Sequence, residues 1–215
     1  MTNIFSFTVN PFQENSYVII NDAEALIIDP GYFDVTEFKQ LSDLLEQHNA
    51  KPIAVLLTHA HLDHIFGVDK VCSEFGIPAF LHPDDTPFWD NFDRMGANYG
   101  IKLNKIEFKP KPILPGNLSM AGIQIEALFT PGHAPGHLSY YLPDLKTVIS
   151  GDALFRESVG RTDLPMGDFD TLAESIRTQL YTLPDDTRVL SGHGPETTIG
   201  HEKLNNPFIR ILDKR

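Results

Sequence analysis

The chain has 215 residues, 41% of them hydrophobic, and a formal net charge of −12 at pH 7. That length and apolar content suit one large domain with one good core, and the acidity argues against nucleic acid as a partner. No run approaches membrane-spanning length, residues 1–5 form no basic leader, and Cys72 is the single cysteine, so a cytoplasmic protein without internal disulfides or membrane contact is expected.

Apolar alternation over residues 4–9, then runs at 16–20 and 25–28, predict a meander of strands. Val35, Phe38, Leu41, Leu44 and Leu45 recur at helical spacing and predict a helix with one apolar face. The continuous apolar run 52–57 predicts a buried strand. After it, Ile65, Val68, Cys72 and Phe75 predict a helix that stops before Gly76 and Pro78, with Cys72 on its packing stripe. Further strands are predicted at 123–129, 137–142 and 147–150. A stripe of Phe169, Leu172, Ala173, Ile176, Leu180 and Leu183 then predicts a helix stopped by Pro184, before a last strand at 188–190. Strands precede helices in both halves, the pattern of two sheets packed face to face with helices outside. No linker or low-complexity segment divides the chain, so residues 1–215 are expected to form a single domain.

Between the 52–57 strand and its following helix lies Thr58-His59-Ala60-His61-Leu62-Asp63-His64. The four chemically active side chains come at i, i+2, i+4 and i+5, which is not the spacing that shares one helix face, so they belong to a strand-to-helix loop. Such loops at the carboxyl ends of strands collect ligands, and imidazole with carboxylate is the donor set of zinc and of non-haem iron. Three later strand ends carry matching groups: Thr130-Pro131-Gly132-His133, Ser150-Gly151-Asp152 and Ser191-Gly192-His193-Gly194. Glycine in each lets the backbone turn sharply and approach a ligand closely.

HxHxDH, then PGH, then GD, then GH, in this order, resembles the ligand series of the metallo-β-lactamase superfamily over residues 29–193. The resemblance implies an α/β fold, a four-layer αββα sandwich with a two-metal site at one edge. It also implies that His59, His61 and His133 hold one metal, Asp63, His64 and His193 a second, and Asp152 bridges both. Asp63 and Asp152 are then the carboxylates closest to the chemistry. Asp29, in Ile28-Asp29-Pro30-Gly31, matches a carboxylate that orients the ligands from behind. Two divalent ions about 3.5–4 Å apart lower the pKa of a shared water toward ~7 and so supply hydroxide at neutral pH. Zinc is the expected metal, with iron or manganese as alternatives.

Asn10-Pro11-Phe12, Asn15-Ser16-Tyr17, Gly136-His137, Gly151-Asp152-Ala153-Leu154-Phe155 and Gly160-Arg161-Thr162-Asp163-Leu164-Pro165 resemble the glyoxalase II branch, in particular its small bacterial members. That resemblance implies hydrolysis of a small-molecule thioester, S-lactoylglutathione or a related S-acyl thiol. Two departures bear on thiol specificity: the carboxy-terminal helical domain that binds glutathione is not expected here, and Pro195 stands where the branch places a glutathione-contacting tyrosine. Arg161, with its planar fork, is a candidate to hold a substrate carboxylate. Phe88, Trp89 and Phe92 are candidates for the wall of an acyl pocket or for helix packing, and His137 is expected to brace its loop. Persulfide dioxygenases share the ligand residues and use a single iron, which leaves oxygen chemistry as the alternative. A non-catalytic metal-binding module is a more remote one. The residues do not decide the oligomeric state.

Overall fold

Strand β1 (Asn3–Val9) alternates exposed and half-buried side chains because it is the edge of its sheet, whereas β2 (Glu14–Asn21) and β3 (Glu24–Ile28) inside that sheet are almost wholly buried. The computed structural model describes residues 1–209, which divide into two compact units, 1–114 with 119–123 and 115–118 with 124 onward. Among the described residues no helix is long and apolar enough to cross a membrane.

In the first unit, β1, β2 and β3 form the antiparallel meander expected, with Tyr17 opposite Ile28. Helix α1 (Val35–Gln47) then carries the chain to β4 (Lys51–Leu56), which lies parallel to β3. Asp34 caps α1 by accepting from the backbone N–H of Thr36 and Glu37, and Leu41 and Leu45 are its buried face. Val35, predicted for that face, is 83% exposed, because the first helical residue precedes the turn that reaches the sheet. Helix α2 (Val68–Phe75) ends on Gly76 in the left-handed conformation and returns the chain to β5 (Ala79–Leu81), again parallel. Cys72 is buried on α2, and burial pushes its thiol up to about 12, so it behaves as a small hydrophobe. Helices α3 (Thr86–Asp90) and α4 (Phe92–Asn98) follow, before the short strand β6 (Lys111–Pro112). Because β3, β4 and β5 run parallel, the residues just after each of them gather at one sheet edge.

The second unit repeats this logic. Its sheet runs β14-β13-β10-β9-β8-β7, where β7 is Gly116–Met120, β8 Ile123–Phe129, β9 Leu138–Leu142, β10 Thr147–Gly151, β13 Arg188–Ser191 and β14 Thr197–Thr198. A small hairpin, β11 (Leu154–Phe155) with β12 (Ser158–Val159), precedes helix α5 (Phe169–Ser175), which continues as a wider turn over Ile176–Leu180. Strand β13 (Arg188–Ser191), β14 (Thr197–Thr198) and helix α6 (Ile199–Asn205) complete it. Leu172, Ala173, Ile176 and Leu180 form the buried stripe predicted, joined by Val148 and Val189, while Phe169 stays 42% exposed at the helix start. β9 is antiparallel to both β8 and β10, and β13 is parallel to β10. The ends of β8, β10 and β13 therefore point the same way, which places the three glycine-flanked motifs at one edge.

Candidate metal centre

Asp29 follows β3 and adopts a left-handed backbone, φ 47°, a conformation that aspartate tolerates better than most residues. Its carboxylate is buried and accepts two bonds from Thr58: backbone N–H to Oδ1 at 2.7 Å and hydroxyl to Oδ2 at 2.6 Å. His64 Nδ1 lies 3.0 Å from the same Oδ2. A carboxylate only accepts, so His64 carries its proton on Nδ1 and its lone pair on Nε2. The Thr58 hydroxyl, which donates its hydrogen bond to Asp29, accepts from His59 Nδ1 at 3.0 Å. One carboxylate thus sets the tautomer of two rings, directly and through a hydroxyl, and both present the Nε2 lone pair that a metal needs.

His59, His64 and Asp29 bring ligand-type atoms within 4.8 Å of one another, but Asp29 is already the acceptor for Thr58 and His64, so its part is to orient the rings. The ring centroids of His59 lie 4.7 Å from His61 and 4.1 Å from His64, and Asp63 Oδ2 is 3.9 Å from His64 Nε2. The chain can crowd four such groups because its backbone is held from behind. Asp85 accepts the N–H of Ala60, and Asn10 donates Nδ2 to the carbonyls of Gly31 and Asp63. Neither role was read from the sequence. Asn10 lies in the Asn10-Pro11-Phe12 segment, where nothing local points to this bond, and Asp85 carries no local signal. Thr58→Val keeps the shape and removes only the hydroxyl. It is expected to lower metal affinity about 10–100-fold in a chelator competition, with the fold retained in circular dichroism.

In the second unit, Gly132 has φ 126°, and a Cβ there would meet the backbone N of Leu172 at 2.3 Å, so only glycine lets the turn lie against α5 and present His133. His133 Nδ1 donates to the carbonyl of Arg161 at 2.7 Å, which again puts the lone pair on Nε2. Nε2 of His133 and Nε2 of His193 each lie 3.5 Å from Asp152 Oδ2. One carboxylate oxygen placed between two imidazoles is the local geometry that a bridging ligand requires.

Arg161 closes its fork on Asp163, Nε to Oδ1 and Nη2 to Oδ2, both at 2.7 Å. The guanidinium holds the Asp163 carboxyl down at about 2, so an NMR titration of that carboxyl should have its midpoint near 2, and Arg161→Ala should return it toward about 3.9. Because the folded value is depressed, the pair is complete above the ordinary carboxylate range and is lost as pH falls through about 2. A substrate carboxylate would have to compete with Asp163 for this fork.

The three aromatic candidates separate. Phe88 sets its ring edge-on to His61 with centroids 4.8 Å apart, and Phe92 packs on Phe66 at 6.3 Å. Trp89 is 1% exposed and donates its indole N–H to the carbonyl of Phe108, which is the packing of a core side chain and offers no wall. The lone alternation of aromatics could not tell the two apart, since ring burial depends on what packs above the helix.

Imidazoles with carboxylates, the tautomers of His59, His64 and His133 set from behind and no thiolate among them, form a donor set that suits a hydrolytic divalent metal, and the His/Asp clusters fit metal binding. The model of the metallo-beta-lactamase superfamily matches residues 9–193. A probable metallo-hydrolase of Bacillus subtilis (strain 168), YqgX, is 42% identical over 94% of this chain and 94% of its own. The hydroxyacylglutathione hydrolase GloC of Haemophilus influenzae is 36% identical over 96% of this chain and 98% of its own. Among solved structures, the BLEG-1 B3 metallo-beta-lactamase matches with a TM-score of 0.88 at 37% identity, over 96% of this chain and 99% of that one. TTHA1623 in a di-iron-bound form matches at 0.86 and 40% identity, over 95% and 100%. With the fold, the ordered motifs and the family match in agreement, the chain belongs to the metallo-beta-lactamase superfamily.

Proposed function

We propose that this protein is a thioester hydrolase that cleaves S-lactoylglutathione or a related small S-acyl thiol with two divalent metal ions, zinc foremost. The observation that carries the reading is the second-unit geometry, Asp152 Oδ2 shared between His133 and His193, in a chain that keeps every ligand residue of the superfamily and resembles GloC. His59, His61 and His133 would hold one ion, Asp63, His64 and His193 the other, and Asp152 both. When bound, such a pair supplies a nucleophile at neutral pH and draws charge from the scissile carbonyl. The chain's own residues do the orienting. Asp29 and Thr58 hold the His59 and His64 rings, the Arg161 carbonyl holds His133, and Phe88 against His61 limits how the imidazole can swing.

The test uses protein purified without added metal, analysed for bound metal and assayed anaerobically for thiol release from S-lactoylglutathione. Release that chelation abolishes and zinc, iron or manganese restores is the expected result. Oxygen consumption with glutathione persulfide by the iron form alone, with the thioester left intact, would replace this reading with a dioxygenase. A β-lactam is assayed alongside because of the likeness to BLEG-1, and turnover of that substrate in place of the thioester would move the substrate class while keeping the metal chemistry.

A further inference from the structure

His137, just before β9, is wholly buried, and neither the metal ligands nor the substrate reading gives it a task. Its Nε2 accepts the backbone N–H of Asp152 at 3.1 Å. An imidazole that accepts at Nε2 while neutral carries its proton on Nδ1, and that atom lies 2.8 Å from Thr130 Oγ1. The threonine hydroxyl, accepting from this N–H, donates its own hydrogen to Ser139 Oγ at 2.9 Å, and Ser139 donates to the carbonyl of Ser150 at 3.2 Å. Each link sets the direction of the next. The chain starts at the N–H of Asp152 and ends on the carbonyl of Ser150, so it grips both sides of the turn at Gly151, whose φ is 50°.

The same histidine also closes the loop that presents His133. Its carbonyl accepts the N–H of Thr130, and its own N–H reaches the carbonyl of Ala134 at 3.4 Å. One residue, through its backbone and its ring together, therefore joins the loop bearing His133 to the turn bearing Asp152.

We propose that His137, held as the neutral Nδ1–H tautomer by Thr130, Ser139 and Ser150, is a positioning residue that sets the Asp152 carboxylate relative to His133. The inference rests on the reading of Asp152 as the bridging carboxylate. Its consequence is that metal affinity, more than folding, should depend on the two-ended hydrogen bonding of this ring. A ring acting through the ligands in this way belongs to the class of outer partners whose loss costs about 10–100-fold in metal affinity.

Three measurements on the full chain test it. Long-range nitrogen–proton NMR on metal-free protein should find His137 with a protonated Nδ1 and an unprotonated Nε2. In chelator competition with zinc, His137→Leu should lose about 10–100-fold in affinity, while His137→Gln, which has both an amide acceptor for Asp152 N–H and a donor for Thr130, should stay within about threefold of the unsubstituted protein. Thr130→Val, which leaves the ring in place and removes its partner, should weaken zinc binding in the same direction and serves if the leucine variant does not fold. The opposite tautomer would overturn the proposal. So would a folded His137→Leu or Thr130→Val protein that melts at a lower temperature yet binds zinc as tightly as before, since that pattern is support of the fold alone. Failure of the unsubstituted protein to bind zinc, iron or manganese would overturn the functional reading together with the proposal, which sets it apart from a failure of His137 alone.

Discussion

Asp152→Asn is expected to leave the metal-free fold and its melting temperature unchanged and to lower thioester turnover on the order of 10³-fold, several kcal/mol of transition-state stabilisation. The carboxylate is nearly buried, with Oδ2 3.5 Å from Nε2 of both His133 and His193. An amide of the same shape keeps the packing and the backbone N–H that His137 accepts, but it brings no charge to two cations and is a poor bridge. Metal analysis should find the asparagine protein short of metal at equal free zinc. Steady-state kinetics should assign the loss to kcat together with kcat/KM, since the interaction belongs to the reacting state. Full activity in the asparagine protein would remove Asp152 from the chemistry and end the two-metal reading.

Gly160→Ala should destabilise the second unit through a single methyl group. A Cβ at this position would stand 1.8 Å from the carbonyl oxygen of Asp152 and 3.0 Å from both its carbonyl carbon and Nδ1 of His133. The near neighbour is backbone, which cannot swing aside as the end of a long side chain can. The loop that also carries the Arg161 carbonyl must then move off, and His133 loses the acceptor that sets its tautomer. Overpacking of this kind costs about 3 kcal/mol, and chemical denaturation should register it as a lower midpoint with an unchanged slope. Metal affinity should fall with it, because the displaced groups are the ligand and its orienting carbonyl. An alanine protein with unchanged stability and unchanged metal affinity would mean that the loop accommodates the methyl group and does not position the site.

Much of the molecule was legible as a string. Strands β1 to β4, β8 to β10 and β13, the helices α1, α2 and α5 and the stop at Gly76 followed from apolar period and from glycine and proline, because those signals act over a few residues. The short strands β5, β6, β7, β11, β12 and β14 carry too little periodic signal and were not predicted. The ligand candidates were legible for a different reason. Metal chemistry needs histidine and aspartate at strand ends, and few other demands crowd them into one heptad and three glycine turns.

The tertiary structure decided what each neighbour of those candidates does. Val35 and Phe169 fit the helical period, yet they stay exposed at helix starts, since burial depends on where the facing sheet begins. Trp89 became core through a carbonyl nineteen residues away, and Arg161 acts on His133 through its backbone while its side chain is held by Asp163. Asn10, Asp85 and His137 reach the backbone of the ligand candidates or their neighbours, and Thr58 reaches Asp29, across separations that no local pattern encodes. The sequence alone determined which residue types stand at the strand ends, since that is a matter of composition and short spacing. Only the fold determined which nitrogen of His64, His133 and His137 carries the proton, since that depends on a hydrogen-bond partner brought in by another strand or loop.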